Sequence, residues 1–588
     1  MGLSFTELVH SGVRLPDNYL PSALPLLMGD DPAPYYPLVP VPMLTSSGES
    51  RPVVAVSGDD LADAGRISTV MSRQPDSGPF FAGPPMRTSG IPFQSSDTDA
   101  PPARTGDADV IGLIDAGFAF WNPVFNAPGS QAGTSRVIDV GFLDFDREDG
   151  MRPAVDFVGQ TNLNDMVNTA AQTGGERRVI HDLGQKFPGS VFGKSPDFGR
   201  LFDPDGFNHG TAVADLAGGA ATALGQSRPE TEPFVFAVEL PSSALLDGSG
   251  ETLQALVSVA LRELLARILD WQRDTGLRPN LRIVLPFAFL GGPVDGSHPV
   301  VQNIKNVVDT KSGDMPVQVY LPMGNHLQDQ AHARIQDVPA NTLSDPLTWY
   351  LRPDDFSPNT VEVTFRGASE LTLHLAPPSG RSAVASLRSG AFGVLEMDGK
   401  TVGAIWCRKI DDTWSRLRIS LGGTDTKKPN FPRLPYGDWT LRLETGSEPL
   451  KSIDFWILRE DGTRFQKQLP PARQSYFRDQ NYRRFMADGS YARDDDAATY
   501  IKRLGSASLI ATLPGQRIIC VGAKEHYGGR ERPAWYSGLY KDKAHEPTYH
   551  LVDDGRPGVG LHARGGGGPR VYRMSGTSAA VAARAKFR

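Results

Sequence analysis

From residue 106 onward, short apolar runs alternate with stretches of helical spacing. The run "DVIGLIDAG" (109–117) predicts a buried strand ending at Asp115, and "PFVFAVELP" (233–241), "LRIVLPFAF" (281–289) and "PVQVYLPMGN" (316–325) predict three more. Between the second and third, Leu253, Leu256, Val257, Ala260, Leu261, Leu264, Leu265 and Ile268 recur on one helical face, and Gly276 marks the stop. Strands alternating with helices make βαβ units and a parallel sheet, with functional residues at the strands' carboxyl ends. Around residue 345 the period drops to two: "VEVTF", "LTLHL", "WSRLRISL", "WTLRLE" and "IDFWIL" predict an inserted antiparallel β-sandwich over about 355–460. The stretch "SLIATLPGQRIICVGA" (508–523) returns to the buried-strand style, and "RGGGGPR" (564–570) reads as a loop.

The first 105 residues follow neither rhythm. They hold 16 of the 48 prolines, a density that predicts an extended arm, with "DDLADAGRISTVMSR" (59–73) as a helical candidate within it. The full 588 residues are too many for one ordinary domain. The expected division is an N-terminal extension over 1–105, a first catalytic part over 106–345, the insertion over 355–460 and a second catalytic part over 465–588. A net charge of −7 gives no electrostatic footprint for nucleic acid. The sequence has no run of 18 apolar residues and no visible secretory signal, and its only cysteines are Cys407 and Cys520. The expected location is therefore the cytoplasm, with neither a membrane nor a nucleic acid as partner.

Three short stretches carry chemistry. Asp115 ends a buried strand in "GLIDAGF"; His209 opens "NHGTAVADLAGG"; Ser578 opens "GTSAAVAAR". Singly, each has a plainer reading: a strand-end carboxylate, a helix-terminal histidine, a helix cap. Together they offer a nucleophile, a base and an orienting carboxylate. A serine hydroxyl needs an adjacent base, histidine titrates near working pH, and a buried carboxylate fixes the imidazole tautomer.

The order Asp, His, Ser and the local motifs resemble the subtilisin-like serine proteases (subtilases), whose order is the standard example of this arrangement. His209, Gly210, Thr211, Val213 and Ala214 match the histidine motif, and Gly576, Thr577, Ser578 and Ala580 match the serine motif. Asp115-Ala116-Gly117 departs from the usual Asp-Ser/Thr-Gly, and Ala582 stands where a proline is usual. The turn "MGN" places Gly324 and Asn325 where subtilases carry an oxyanion-binding asparagine, and "LPFAFLGG" (285–292) resembles the strand lining their substrate cleft. The resemblance covers about 106–335 and 465–588. It implies an α/β fold, a subtilisin-like doubly wound parallel sheet with the β-sandwich inserted. It also implies a catalytic triad of Asp115, His209 and Ser578, an oxyanion hole at Asn325, and substrate contacts at Phe289, Leu290, Gly291 and Gly324. Phe289 stands where serine is usual, which implies an altered specificity pocket. "YGDWTLRLE" is similar to a strand of the β-sandwich that follows the catalytic domain in proprotein convertases.

The implied activity is that of a serine endopeptidase acting on protein or peptide, with no cofactor required. Structural calcium is allowed by the resemblance without a located site; "RDDDAA" (493–498) supplies carboxylates but equally fits an acidic helix start. The histidines of "HEPTYH" (545–550) are five apart around a proline, which does not suit a zinc-binding helix. His326 and His332 read as loop histidines, and Cys520 as a small buried hydrophobe. The competing class is an inactive fold that binds a partner, of unknown identity, through the inserted sandwich.

Overall fold

The computed structural model describes residues 3–9, 38–39, 43–44, 50–51 and 81–82, together with 106–586 apart from breaks. The breaks are 128–134, 145–153, 194–200, 221–231, 247–250, 293, 295, 297–298, 312–314, 368–369, 381, 389–390, 410–413, 426–432, 461–471, 512–516, 528–529, 542–545, 554–560, 565 and 567–570. The helical candidate at 59–73 and most of "RGGGGPR" lie outside the described residues.

A nine-stranded, largely parallel sheet forms the first body. Its strands are β1 (Gly106–Asp115), β2 (Val137–Asp144), β3 (Ala154–Phe157), β4 (Phe234–Glu239), β5 (Leu277–Val284), β6 (Val317–Pro322), β7 (Ile518–Tyr527), β8 (Arg530–Pro533) and β9 (Thr548–Asp553). The spatial order is β8-β7-β6-β5-β1-β4-β2-β3, with β9 also paired to β7. Only the β2–β3 and β7–β8 pairs are antiparallel. β1 is almost wholly apolar from Val110 to Ile114 because both its faces are covered. The helices α1 (His209–Gly218), α2 (Glu251–Thr275), α3 (Pro299–Lys311) and α4 (Thr577–Lys586) do the covering. Gly112 faces Leu264 of α2 while the adjacent Ile111 faces Gly218 of α1. Since successive strand residues point to opposite sides, α1 and α2 lie on opposite faces. All eight apolar positions picked out along α2 are buried.

The second body consists of two antiparallel sheets with a shared apolar core. One runs Leu3–Val9, Phe392–Met397, Lys400–Lys409, Trp414–Leu421, Asn359–Gly367, Leu450–Ile457 and His332–Arg334; the other runs Ala383–Arg388, Glu370–Ala376, Gly437–Thr445, Leu347–Leu351 and Tyr476–Arg478. Trp349 and Trp439 are register partners on neighbouring strands, and both are fully buried. The body therefore draws strands from beyond 355–460, including the N-terminal strand, whose Leu3 joins its core. "LRIVLPFAF" leaves the sheet after Val284, so residues 285–292 lie beyond the carboxyl end of β5. Ser508 to Ala511 is likewise not strand: the Ser508 N–H donates to the Met323 carbonyl (2.8 Å) and the Leu509 N–H to that of Phe289 (2.9 Å). No described helix is long and apolar enough to cross a membrane.

Candidate active site

β1 delivers Asp115 to its carboxyl end, where the chain must turn at once. Gly117 takes a φ of +83°, in the region open chiefly to glycine. The turn closes against α1: the Gly210 N–H donates to the Ala116 carbonyl (2.9 Å), and a Cβ at Gly210 would lie 2.6 Å from that oxygen. The Thr211 hydroxyl donates to the Gly117 carbonyl (2.6 Å) and accepts from the Ala119 N–H (2.8 Å). This close seating explains the run of small residues after His209. It brings His209 Nδ1 to 2.8 Å from Asp115 Oδ2, while Asp115 Oδ1 accepts from the Ala116 N–H at 2.8 Å.

Asp115 is buried, whereas His209 is half-buried, with 41% of its side chain accessible. Burial pulls the imidazole pKa down, as does Arg459. The charge of Asp115 and its hydrogen bond outweigh both, so the pKa is raised above its usual value. With Nδ1 committed to the carboxylate, Nε2 is the nitrogen left for proton transfer.

Ser578 stands in the first turn of α4. That helix is ten residues long, too short to persist alone. Its alanines and Val581 are buried, and their small size allows α4 to pack closely on α1, β6 and β7. Arg282 of β5 caps its end, with Nη1 donating to the Ala585 carbonyl at 2.8 Å and the Lys586 carbonyl at 3.3 Å. Lys586 Nζ donates to the Gly219 carbonyl beyond α1 at 2.6 Å. The start of α4 is equally tied: the Gly576 N–H donates to the Tyr536 hydroxyl (2.8 Å) and the Thr577 N–H to Asn325 Oδ1 (2.9 Å). The Thr577 hydroxyl donates to the same oxygen (3.1 Å) and accepts from the Gly324 N–H (3.2 Å). With its oxygen so engaged, Asn325 keeps its NH₂ end as a donor beside Gly576, at the start of α4, and the residue is exposed. The Ser578 hydroxyl donates to the Pro286 carbonyl at 2.6 Å.

No family model matches the chain, and no curated protein matches it. Among solved structures, the Clostridium perfringens CspB protease is similar at 13% identity and a TM-score of 0.48, covering 82% of this chain and 81% of that one. Likeness at that level has no bearing on the chemistry, so the candidate site rests on its own geometry.

The nominated residues thus fall into groups. Asp115 and His209 touch, and Asn325 and Gly324 touch Thr577 beside Ser578; α1 and α4 pack together with both residues of interest in their first turns. Ser578 and His209 share no hydrogen bond among the described residues. Phe289 and Leu290 are buried in the two apolar cores, Phe289 in that of the parallel sheet and Leu290 in that of the sandwich, and Leu290 also lines a small pocket with His326, His332 and Trp456. Gly291 lies between Leu458 and Leu509, and the Trp456 ring lies against Gly292. The sandwich therefore backs the segment that carries Pro286.

The remaining candidates have structural partners. His326 Nδ1 meets Asp329 at 2.8 Å, and His332 Nε2 meets Asp454 at 2.9 Å. In "RDDDAA", Asp495 accepts from the Arg503 and Leu504 N–H groups and Asp496 from that of Ala498. Thr548 to His550 belong to β9. Sequence reasoning missed Glu239, a wholly buried carboxyl group at the end of β4 and the register partner of Asp115. Its signal is a charged residue closing an otherwise apolar run. Tyr536 was also missed, and nothing in its local sequence marks it.

Proposed function

We propose that the chain is a serine endopeptidase of the subtilase type that cleaves protein or peptide through an acyl-enzyme. The reading is supported above all by the 2.8 Å contact between Asp115 Oδ2 and His209 Nδ1, which orients an imidazole with a raised pKa at the carboxyl edge of a parallel sheet. Helices on opposite faces of that sheet support the doubly wound arrangement of the family.

In the proposed reaction the Ser578 hydroxyl turns from Pro286 toward Nε2 of His209. As its oxygen attacks the scissile carbonyl, its proton passes to Nε2, and Asp115 balances the imidazolium. The carbonyl oxygen becomes an oxyanion held by the Asn325 NH₂ and the backbone N–H of Ser578 at the positive end of α4. Collapse breaks the C–N bond, with Nε2 giving its proton to the leaving amine. Water then attacks the acyl-enzyme by the same route, returning Ser578. Only the chain's own residues take part, so no cofactor is required.

The test is intact mass after incubation with a fluorophosphonate, beside Ser578→Ala. A single adduct on the wild type, absent from the variant, is expected. A second reading, an inactive fold that uses the sandwich to bind a partner, is favoured by the bond from Ser578 to Pro286 instead of His209. Folded wild type without an adduct decides for that second reading.

A further inference from the structure

We infer that Glu239 is a positioning residue for the proposed triad: its carboxyl group holds from beneath the backbone turn that aims Asp115 at His209. The inference rests on the reading of Asp115 and His209 given above. The two carboxyl residues are register partners at the ends of adjacent parallel strands. One oxygen of Glu239 accepts from the Gly117 N–H at 2.5 Å and the other from the Phe118 N–H at 3.2 Å. Those amides follow directly on that of Ala116, which donates to Asp115 Oδ1. A chain of contacts therefore runs from Glu239 through the turn to Asp115 and on to His209.

The turn has no nearer source of this support. Ala116 offers no side-chain acceptor, and α1 engages the turn's carbonyls and the Ala119 N–H, leaving the Gly117 and Phe118 amides to Glu239. Burying a carboxyl group without a cationic partner is costly, yet this one is 2% exposed in an apolar strand end. Its register neighbour on the far side is Phe142, on the near side Asp115. Burial pushes its pKa up to about 8; the two amides oppose this and the charge of Asp115 adds to it. With both oxygens taken up by amides of the turn, the carboxyl group supplies two acceptors where the backbone would otherwise have none.

The experiment follows His209 itself and needs no substrate. Full-length protein carrying ¹³C-labelled histidine is titrated by NMR, with His209→Gln identifying the signal. In Glu239→Leu, which fills the space without an acceptor, the His209 inflection should fall by about one pH unit as its bond to Asp115 loosens. Glu239→Gln keeps one acceptor oxygen and sets an NH₂ against the other amide, so its His209 inflection should fall less than that of Glu239→Leu. A folded Glu239→Leu variant with an unmoved His209 inflection overturns the inference. If the leucine variant does not fold, Glu239→Met, which likewise offers the turn no oxygen acceptor, takes its place, and an unmoved His209 inflection in it overturns the inference. If the titrations behave as expected while the wild type takes no fluorophosphonate, Glu239 still positions His209 and only the hydrolytic reading falls.

Discussion

Ser578 donates its hydroxyl hydrogen to the carbonyl oxygen of Pro286 at 2.6 Å, not to the ring of His209. The Pro286 carbonyl is set by the segment 285–292, which runs between the parallel-sheet body and the sandwich. The serine is thus held in a resting orientation by backbone, and reaction requires it to exchange one hydrogen bond for another. Such a bond has a net worth of about 0.5–1.5 kcal/mol, so the exchange slows attack by roughly tenfold at most.

His209 should govern the reactivity of that hydroxyl. Removing a general base typically costs about 10²–10⁴ in rate. His209→Ala should therefore label with fluorophosphonate slower by that factor, with its circular dichroism unchanged. Equal rates for the two proteins would mean that the hydroxyl reacts from its place on Pro286 without help from His209.

The pH profile should follow the same residue. The base must be neutral to accept a proton, and Asp115 raises its pKa. Peptide-cleavage kcat/KM should accordingly climb along an acid limb whose midpoint lies above the ordinary histidine value of about 6.5. Asp115→Asn removes the raising charge, so the limb should move down while kcat falls by about 10⁴. A limb that stays in place in this variant would detach Asp115 from His209.

Asn325 has two separable jobs. Its oxygen anchors the Thr577 N–H and hydroxyl, and its NH₂ faces the proposed oxyanion. Asn325→Ala loses both. Asn325→Asp keeps the anchoring oxygen and loses the donor. Loss of one such donor costs on the order of 2.7–4 kcal/mol in transition-state stabilisation, or about 10²–10³ in kcat. Both variants should show that loss, with the aspartate variant alone keeping the wild-type melting temperature. Wild-type turnover in either one removes Asn325 from the oxyanion hole.

What was legible in the sequence was what local pattern encodes. The eight apolar positions of α2 and the buried run of β1 are periodic over enough residues to be read directly, and both are buried as expected. The contact of Asp115 with His209 was expected from the order and motifs that resemble the subtilases, and the two side chains do meet at 2.8 Å. The places of Phe289 and Leu290 were not legible, since Phe289 is buried in the parallel-sheet core and Leu290 in that of the sandwich, whose docking no local spacing reveals. Tyr536 and Arg282 act on α4 from segments about 40 and 300 residues away in sequence, with no motif of their own. The N-terminal strand escaped notice because the prolines that follow it dominate the composition of the first hundred residues.

Asp454 binds two basic residues of its own sheet, His332 and Arg334, and reaches Lys541 outside it. Its buried carboxylate accepts from His332 Nε2 (2.9 Å), Arg334 Nε (2.8 Å) and Lys541 Nζ. Burial alone would raise its pKa, but the hydrogen bond and charge of His332, with the charges of Lys541 and Arg334, hold it well below the usual carboxylate range. A folded-state pKa below the unfolded one stabilises the fold in full above about pH 5, and that contribution is lost as pH falls through the folded value. Removing one partner of a buried charge cluster typically costs about 3–5 kcal/mol. Asp454→Asn should thus be less stable by about that much in urea melts from pH 5 to 8. The gap to wild type should then narrow steadily below pH 4, as the wild-type carboxylate takes up its proton. A gap that stays constant down to pH 2 would mean that the charge of Asp454 does not stabilise the fold.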